Sequence, residues 1–148
     1  MGVLTLTPGV VPATFAALRG CGRGARECVA YWLGPRDGPG EVDEVLTPPH
    51  HAGVGWYEVD SDWITVFFLD LRTTRRTVRA QVHTHPGASV RHSPTDDGFA
   101  IAPSAGFVSI VLPYFAMRDV TLAGAYATRL MPDARWLEQD VSDVIRWT

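Results

Sequence analysis

The stretch from His83 to Asp96 constrains this chain most, because it asks for a strand end and a helix start at one place. Residues 77–84 form an apolar, β-branched run that carries His83 and leads on to His85. Residues i and i+2 of a strand project from the same face, so the two imidazoles can reach one point while Thr84 faces the other way. After seven intervening residues comes Ser93-Pro94-Thr95-Asp96. This reads as a helix start, with Ser93 at the N-cap, Pro94 in the first helical position and acid in the first turn. A helix over 93–102 then carries Asp96. Two imidazoles and one carboxylate make a three-ligand zinc site. Three protein ligands leave a tetrahedral position open for water, which is the catalytic arrangement. Asp97 points about 100° away around that helix and reads as a surface or helix-dipole acid.

The order His-Thr-His, seven residues, Ser, two residues, Asp resembles the JAMM motif of the JAB/MPN zinc metalloproteases, and most of all the compact prokaryotic JAB proteins. The similarity runs from about Glu27 to Phe115, and no motif position is substituted. The family also uses a glutamate upstream on a separate strand, and Glu27, ahead of Cys28-Val29-Ala30-Tyr31-Trp32-Leu33-Gly34, matches that setting. The resemblance implies one Zn2+ per chain held by His83, His85 and Asp96. It implies that Glu27 is the general base, taking a proton from the zinc-bound water and returning it to the leaving amine. It gives Ser93 the role of oxyanion donor, against the plain reading of that serine as a helix cap. Glu41, Glu44 and Glu58 are the rival acids, but none of them directly precedes a buried apolar strand in the family's order.

The expected substrate is a ubiquitin-like protein or its conjugate, cut after its C-terminal glycine by an isopeptidase or precursor-processing peptidase resembling the deubiquitinases. E1-like or E2-like proteins of the same system are further expected partners. Hydrolysis of a small-molecule amide and a non-catalytic JAB/MPN interaction module are the alternatives. Trp56 and Tyr57 either wall the substrate channel or pack as ordinary strand residues, and the loop from Gly87 to His92 borders it.

The expected fold is α/β: a single JAB/MPN-like domain over residues 1–148, with a mixed central β-sheet flanked by helices. Periodicity and breakers predict a helix over 8–19, closed by Gly20, Gly22 and Gly24, and a strand over 27–33 with its partner over 41–47. Residues 48–51, Pro-Pro-His-His, read as a loop with solvent-facing histidines, as does His92. A short strand over 56–59 precedes Asp60-Ser61-Asp62, an N-cap for a helix over 63–72. Strands are predicted over 77–84, 107–112 and 120–130, and a helix over 133–147.

The net charge of -3 gives no basic stripe, which argues against nucleic acid as a partner. No apolar run approaches the ~20 residues of a membrane span, and the first residues lack a secretory pattern, so the cytoplasm is the expected compartment. Cys21 and Cys28 are accordingly expected to be free thiols, with Cys28 facing the core beside Ala30 and Trp32. All 13 basic residues are arginine, which reads most simply as coding bias.

Overall fold

A computed structural model describes residues 2–88, 104–118 and 120–147. The architecture is α/β, built on a six-stranded mixed sheet. In chain order the elements are β1 (Leu4–Leu6), α1 (Val10–Gly22), β2 (Val29–Pro35), β3 (Glu41–Val42), β4 (Glu44–Leu46), β5 (His50–Gly53), β6 (Trp56–Val59), α2 (Ser61–Thr74), β7 (Arg76–Thr84), β8 (Val108–Leu112), β9 (Tyr126–Leu130), β10 (Trp136–Gln139) and β11 (Ile145–Arg146). The sheet order is β10-β9-β8-β7-β2-β4, with β7 and β8 parallel and the other neighbours antiparallel. A small parallel sheet, β11-β1-β3, and the β5–β6 hairpin flank it.

The strands β2, β7 and β8 are central; β2 and β8 are buried on both faces and read as near-continuous apolar runs, whereas β7 also buries the polar Gln81, His83 and Thr84. One face carries Cys28, Ala30, Trp32, Val82 and Ile110 against Val11, Phe15 and Leu18 of α1. The other carries Val29, Tyr31 and Leu33 against Phe67 and Leu71 of α2. A register shift in the β2–β7 ladder, between Trp32 and Leu33, leaves Arg79 as an extra residue. That bulge moves Val78 to the α2 face while Ala80 and Val82 face α1, and it sets the face on which His83 emerges.

Within the predicted capping stretch 60–62 the cap is Asp60, whose carboxylate accepts from the Trp63 N–H at 2.9 Å, so α2 starts at Ser61, two residues earlier than expected. Gly34 is required where β2 meets β3, since a Cβ there would stand 1.8 Å from the Glu41 carbonyl oxygen. Inside the α1 face, the Trp32 indole N–H donates to Thr14 Oγ1, which donates to the Val10 carbonyl, so no polar atom of this trio is stranded.

Four expectations are corrected. Residues 48–51 are not all loop, because His50 pairs with Val59 and opens the β5–β6 hairpin. The strand predicted over 120–130 is confined to β9 at its end. The helix predicted over 133–147 is instead β10, one helical turn at Val141–Val144, and β11. There Trp136 to Gln139 pair with Leu130 to Ala127, so ladder pairing and burial of Trp136 override helix propensity. Finally, Cys21 and Cys28 are not free thiols but a disulfide, with Cα atoms 6.2 Å apart. The chain reverses through Arg23 and Gly24, both at positive φ, and brings the end of α1 back to the start of β2. The helix predicted over 93–102, with Ser93 and Asp96, lies outside the described residues, as does His92. Among the described residues no helix is long and apolar enough to cross a membrane.

Candidate metal centre

The β2–β7 register builds the site. Val29 stands opposite His83, so in the same antiparallel register the pair two residues further out is Glu27 and His85. Opposed residues on one face bring their side chains together. Glu27 Oε1 lies 3.9 Å from His85 Nε2, and the two histidine Nε2 atoms are 3.3 Å apart. Two nitrogen ligands at 2.0–2.1 Å from a tetrahedral zinc are separated by about 3.3 Å, so the imidazole pair fits a cation held between them. The chemistry of the set agrees, since imidazole and carboxylate suit Zn2+.

Burial sharpens each role. His83 is fully buried and Glu27 is 3% exposed, whereas His85 keeps partial access to solvent. Backbone bonds lock all three: the Glu27 N–H donates to the Gly53 carbonyl, and Thr84 and Cys28 bond each other twice, through Thr84 N–H to Cys28 O and Cys28 N–H to Thr84 Oγ1. Thr84 is therefore structural, as its face predicts. Glu41, Glu44 and Glu58 are exposed, with Glu44 paired to Arg76 and Glu58 opposite His51 in the β5–β6 hairpin. The structure brings together His83, His85 and Glu27; Ser93 and Asp96 belong to the stretch outside the described residues.

Two further contacts support the imidazole pair: the sequence offers the first, Tyr57, as a channel wall or a packed strand residue, and gives no sign of the second. Tyr57 of β6 is buried with its ring 5.3 Å from that of His83, while Trp56 beside it is half exposed. Gly53 makes room for that tryptophan: a Cβ at residue 53 would come within 2.3 Å of the indole nitrogen. The second support is a left-handed turn at Tyr114, Phe115 and Ala116, with φ of 55°, 54° and 60°. Left-handed backbone costs roughly 1–2 kcal/mol per non-glycine residue. Here it presents the Phe115 N–H to the His85 carbonyl at 2.9 Å and the Tyr114 N–H to the Gly87 carbonyl at 3.1 Å. Arg19 Nε clamps the turn at the Ala116 carbonyl, and the Arg118 guanidinium lies over the Tyr114 ring. Strain of this kind persists where surrounding bonds over-determine the backbone. It holds the chain that leaves His85.

A cavity at the opposite end of β7, around Arg36, Phe68 and residues 76–79, is lined by none of Glu27, His83 and His85.

No family model matches the chain. A protein of Sinorhizobium fredii, named "Probable metalloprotease y4jG", is 32% identical over 134 residues, covering 83% of this chain and 78% of the relative. Among solved structures, a JAB1/MPN domain protein from Archaeoglobus fulgidus superposes with a TM-score of 0.54 at 15% identity, covering 99% of this chain and all of that one. A Desulfitobacterium hafniense protein gives a TM-score of 0.68 at 18% identity over 99% of this chain and 93% of that one. A Salinibacter ruber protein gives 0.59 at 17% identity over 97% and 91%. The structural likenesses speak for the fold.

Proposed function

This chain belongs to the JAB/MPN metalloprotease family, and from that premise we propose that it is a zinc-dependent peptidase that hydrolyses the bond after the C-terminal glycine of a ubiquitin-like protein. The observation that carries the reading is the convergence of His83, His85 and buried Glu27 across one pair of strands. His83, His85 and Asp96 hold the metal. When bound, the cation supplies Lewis acidity, which lowers the pKa of water toward ~7 and polarises the scissile carbonyl.

The protein's own groups do the rest. Glu27 accepts the proton of the attacking water and delivers it to the departing amine, and its backbone anchor at Gly53 keeps the carboxylate beside His85. Ser93 donates its hydroxyl to the developing oxyanion. Tyr57 keeps bulk water from the buried side of the imidazole pair. Trp56 at the rim narrows the approach, so the substrate strand must enter without a Cβ beside the metal, and Gly-Gly satisfies that condition. An extended tail binds such a site by main-chain hydrogen bonds. The substrate is a conjugate or precursor of a ubiquitin-like protein, and E1-like or E2-like proteins are the natural neighbours of that system.

The test uses two ubiquitin-like fusions, one ending in Gly-Gly before the scissile bond and one with the second glycine changed to Val. The first is cleaved after the second glycine, and the second resists by about tenfold or more, or ~1.4 kcal/mol in the transition state. Equal cleavage of both, with metal dependence retained, would overturn the glycine-gated reading in favour of a small-amide hydrolase.

A further inference from the structure

A second group of ligating side chains lies apart from the His83–His85 pair. Cys21 at the end of α1, Cys28 at the entry to β2 and His50 at the start of β5 each place one ligand atom within 4.8 Å of the others. In the structure the two sulfurs are joined. We propose that reduction of this disulfide opens a second metal site, Cys21–Cys28–His50, for a thiophilic divalent cation such as Zn2+.

The orientation of His50 is the strongest pointer. Its Nδ1 lies 2.7 Å from the Pro48 carbonyl oxygen, which can only accept, so Nδ1 carries the hydrogen. In the neutral ring the lone pair is then on Nε2, and Nε2 faces Cys21 Sγ at 3.3 Å. A disulfide sulfur has no proton to offer it. Two lone pairs therefore face each other in the oxidised form, and a thiol proton or a cation between them would turn that contact into an attraction. Fixing one imidazole nitrogen on a carbonyl and aiming the other at the ligand point is how metal-binding histidines are held.

The surroundings suit a site as well. Cys28 is fully buried and tied into the β2–β7 ladder, while Cys21 and His50 are half-buried and keep partial access to solvent. The Tyr57 ring stands edge-on to the His50 ring, with centroids 6.5 Å apart, and steadies it. Sulfur atoms bound to one tetrahedral zinc at 2.3 Å stand about 3.8 Å apart, so the released thiolates need separate by less than about 2 Å from bonding distance. Two thiolates and an imidazole favour Zn2+ over the hard cations Mg2+ and Ca2+. Three protein ligands leave one position for water.

The opening step balances. A dithiol reductant attacks one sulfur, the Cys21–Cys28 bond breaks, and two electrons pass to the protein sulfurs. The reductant departs as its own disulfide, and its two protons end on the new thiols. Binding a divalent cation then releases those thiol protons to solvent.

Cobalt(II) serves as the probe, because thiolate ligands give it an intense near-ultraviolet charge-transfer band that the nitrogen and oxygen ligands of His83, His85 and Asp96 do not. The protein is titrated with Co2+ as isolated and again after reduction and anaerobic desalting, with far-ultraviolet circular dichroism recorded on both. The band is expected only after reduction, saturating at one further cobalt per chain and displaced by Zn2+. His50→Ala is expected to weaken that cobalt by about tenfold or more, the scale on which lost support for a metal ligand is felt. Three results would each overturn the proposal: a reduced, folded protein without the band, a band of undiminished affinity in His50→Ala, or loss of the fold on reduction before metal is added.

Discussion

Replacing Glu27 by Gln isolates the proton-transfer step, because the amide keeps the shape of the side chain and removes only its capacity as a base. Glu27 is 3% exposed and its N–H is bonded to the Gly53 carbonyl, a contact that the substitution leaves alone. Fold and metal content are therefore expected to survive. General-base catalysis contributes about 10²- to 10⁴-fold, so turnover is expected to fall by that factor, or ~2.7 to 5.4 kcal/mol in the barrier. The assay is single-turnover cleavage of a Gly-Gly fusion at saturating enzyme, read beside elemental zinc analysis of the same preparation. Glu44→Gln is the control, since Glu44 is exposed and pairs with Arg76. Turnover by Glu27→Gln within about threefold of wild type would refute the assignment. Loss of zinc in step with activity would refute it differently, by making Glu27 a ligand rather than a base.

The His83→Ala/His85→Ala double variant is expected to lose its catalytic metal, and equal zinc in wild type and variant by elemental analysis would contradict the site. Tyr31→Phe is expected to stabilise the fold by about 1 kcal/mol, because the Tyr31 hydroxyl is buried with no hydrogen-bond partner among the described residues; a urea melt reads this. Thr14→Val is the opposite case: it strands the Trp32 indole N–H and is expected to cost about 1–3 kcal/mol in the same melt. Asp43 is held below the usual carboxylate range by its hydrogen bond from Arg76. Its contribution is thus complete at neutral pH and fades as pH falls through the depressed folded value, so Asp43→Asn should flatten the acid limb of a stability–pH curve. The pair is partly exposed, and the difference at neutral pH is at most about 1 kcal/mol.

What the sequence made legible was local chemistry with a strict period. His-x-His on a strand, the Asp60 cap and the two-faced strands β2 and β7 each follow from distances of a few residues, and each is found where the pattern puts it. Glu27 was singled out only through family order, yet its place beside His85 has a simple geometric cause: it is the residue that antiparallel register sets opposite that histidine. Register itself is not written in the residues around Glu27. The region 120–147 misled for the same reason, since Trp136 to Gln139 become a strand only through the neighbour they pair with. Nothing in Pro113-Tyr114-Phe115-Ala116 signals a left-handed turn either. No glycine is present, and the conformation is imposed by bonds from Arg19, His85 and Gly87.

The cysteines show how a compartment argument and a geometric one can diverge. A thiol expected from cellular context is a statement about reductants, whereas the disulfide is a statement about reach: seven residues with a reversal at Arg23 and Gly24 bring residue 21 onto residue 28. The cross-link sits one residue after Glu27 and against the strand that holds Glu27 through Gly53. Oxidation ties α1 to β2 and leaves His50 as a neighbour, whereas metal binding would draw His50, and with it β5, into the same knot. The two states therefore differ in how firmly the Gly53 carbonyl is held against Glu27. Hydrogen exchange at the Glu27 amide reads that difference directly: slower exchange is expected in the reduced, Zn2+-loaded protein than in the oxidised, Zn2+-loaded protein. Equal rates would mean that the knot is independent of the acid beside it.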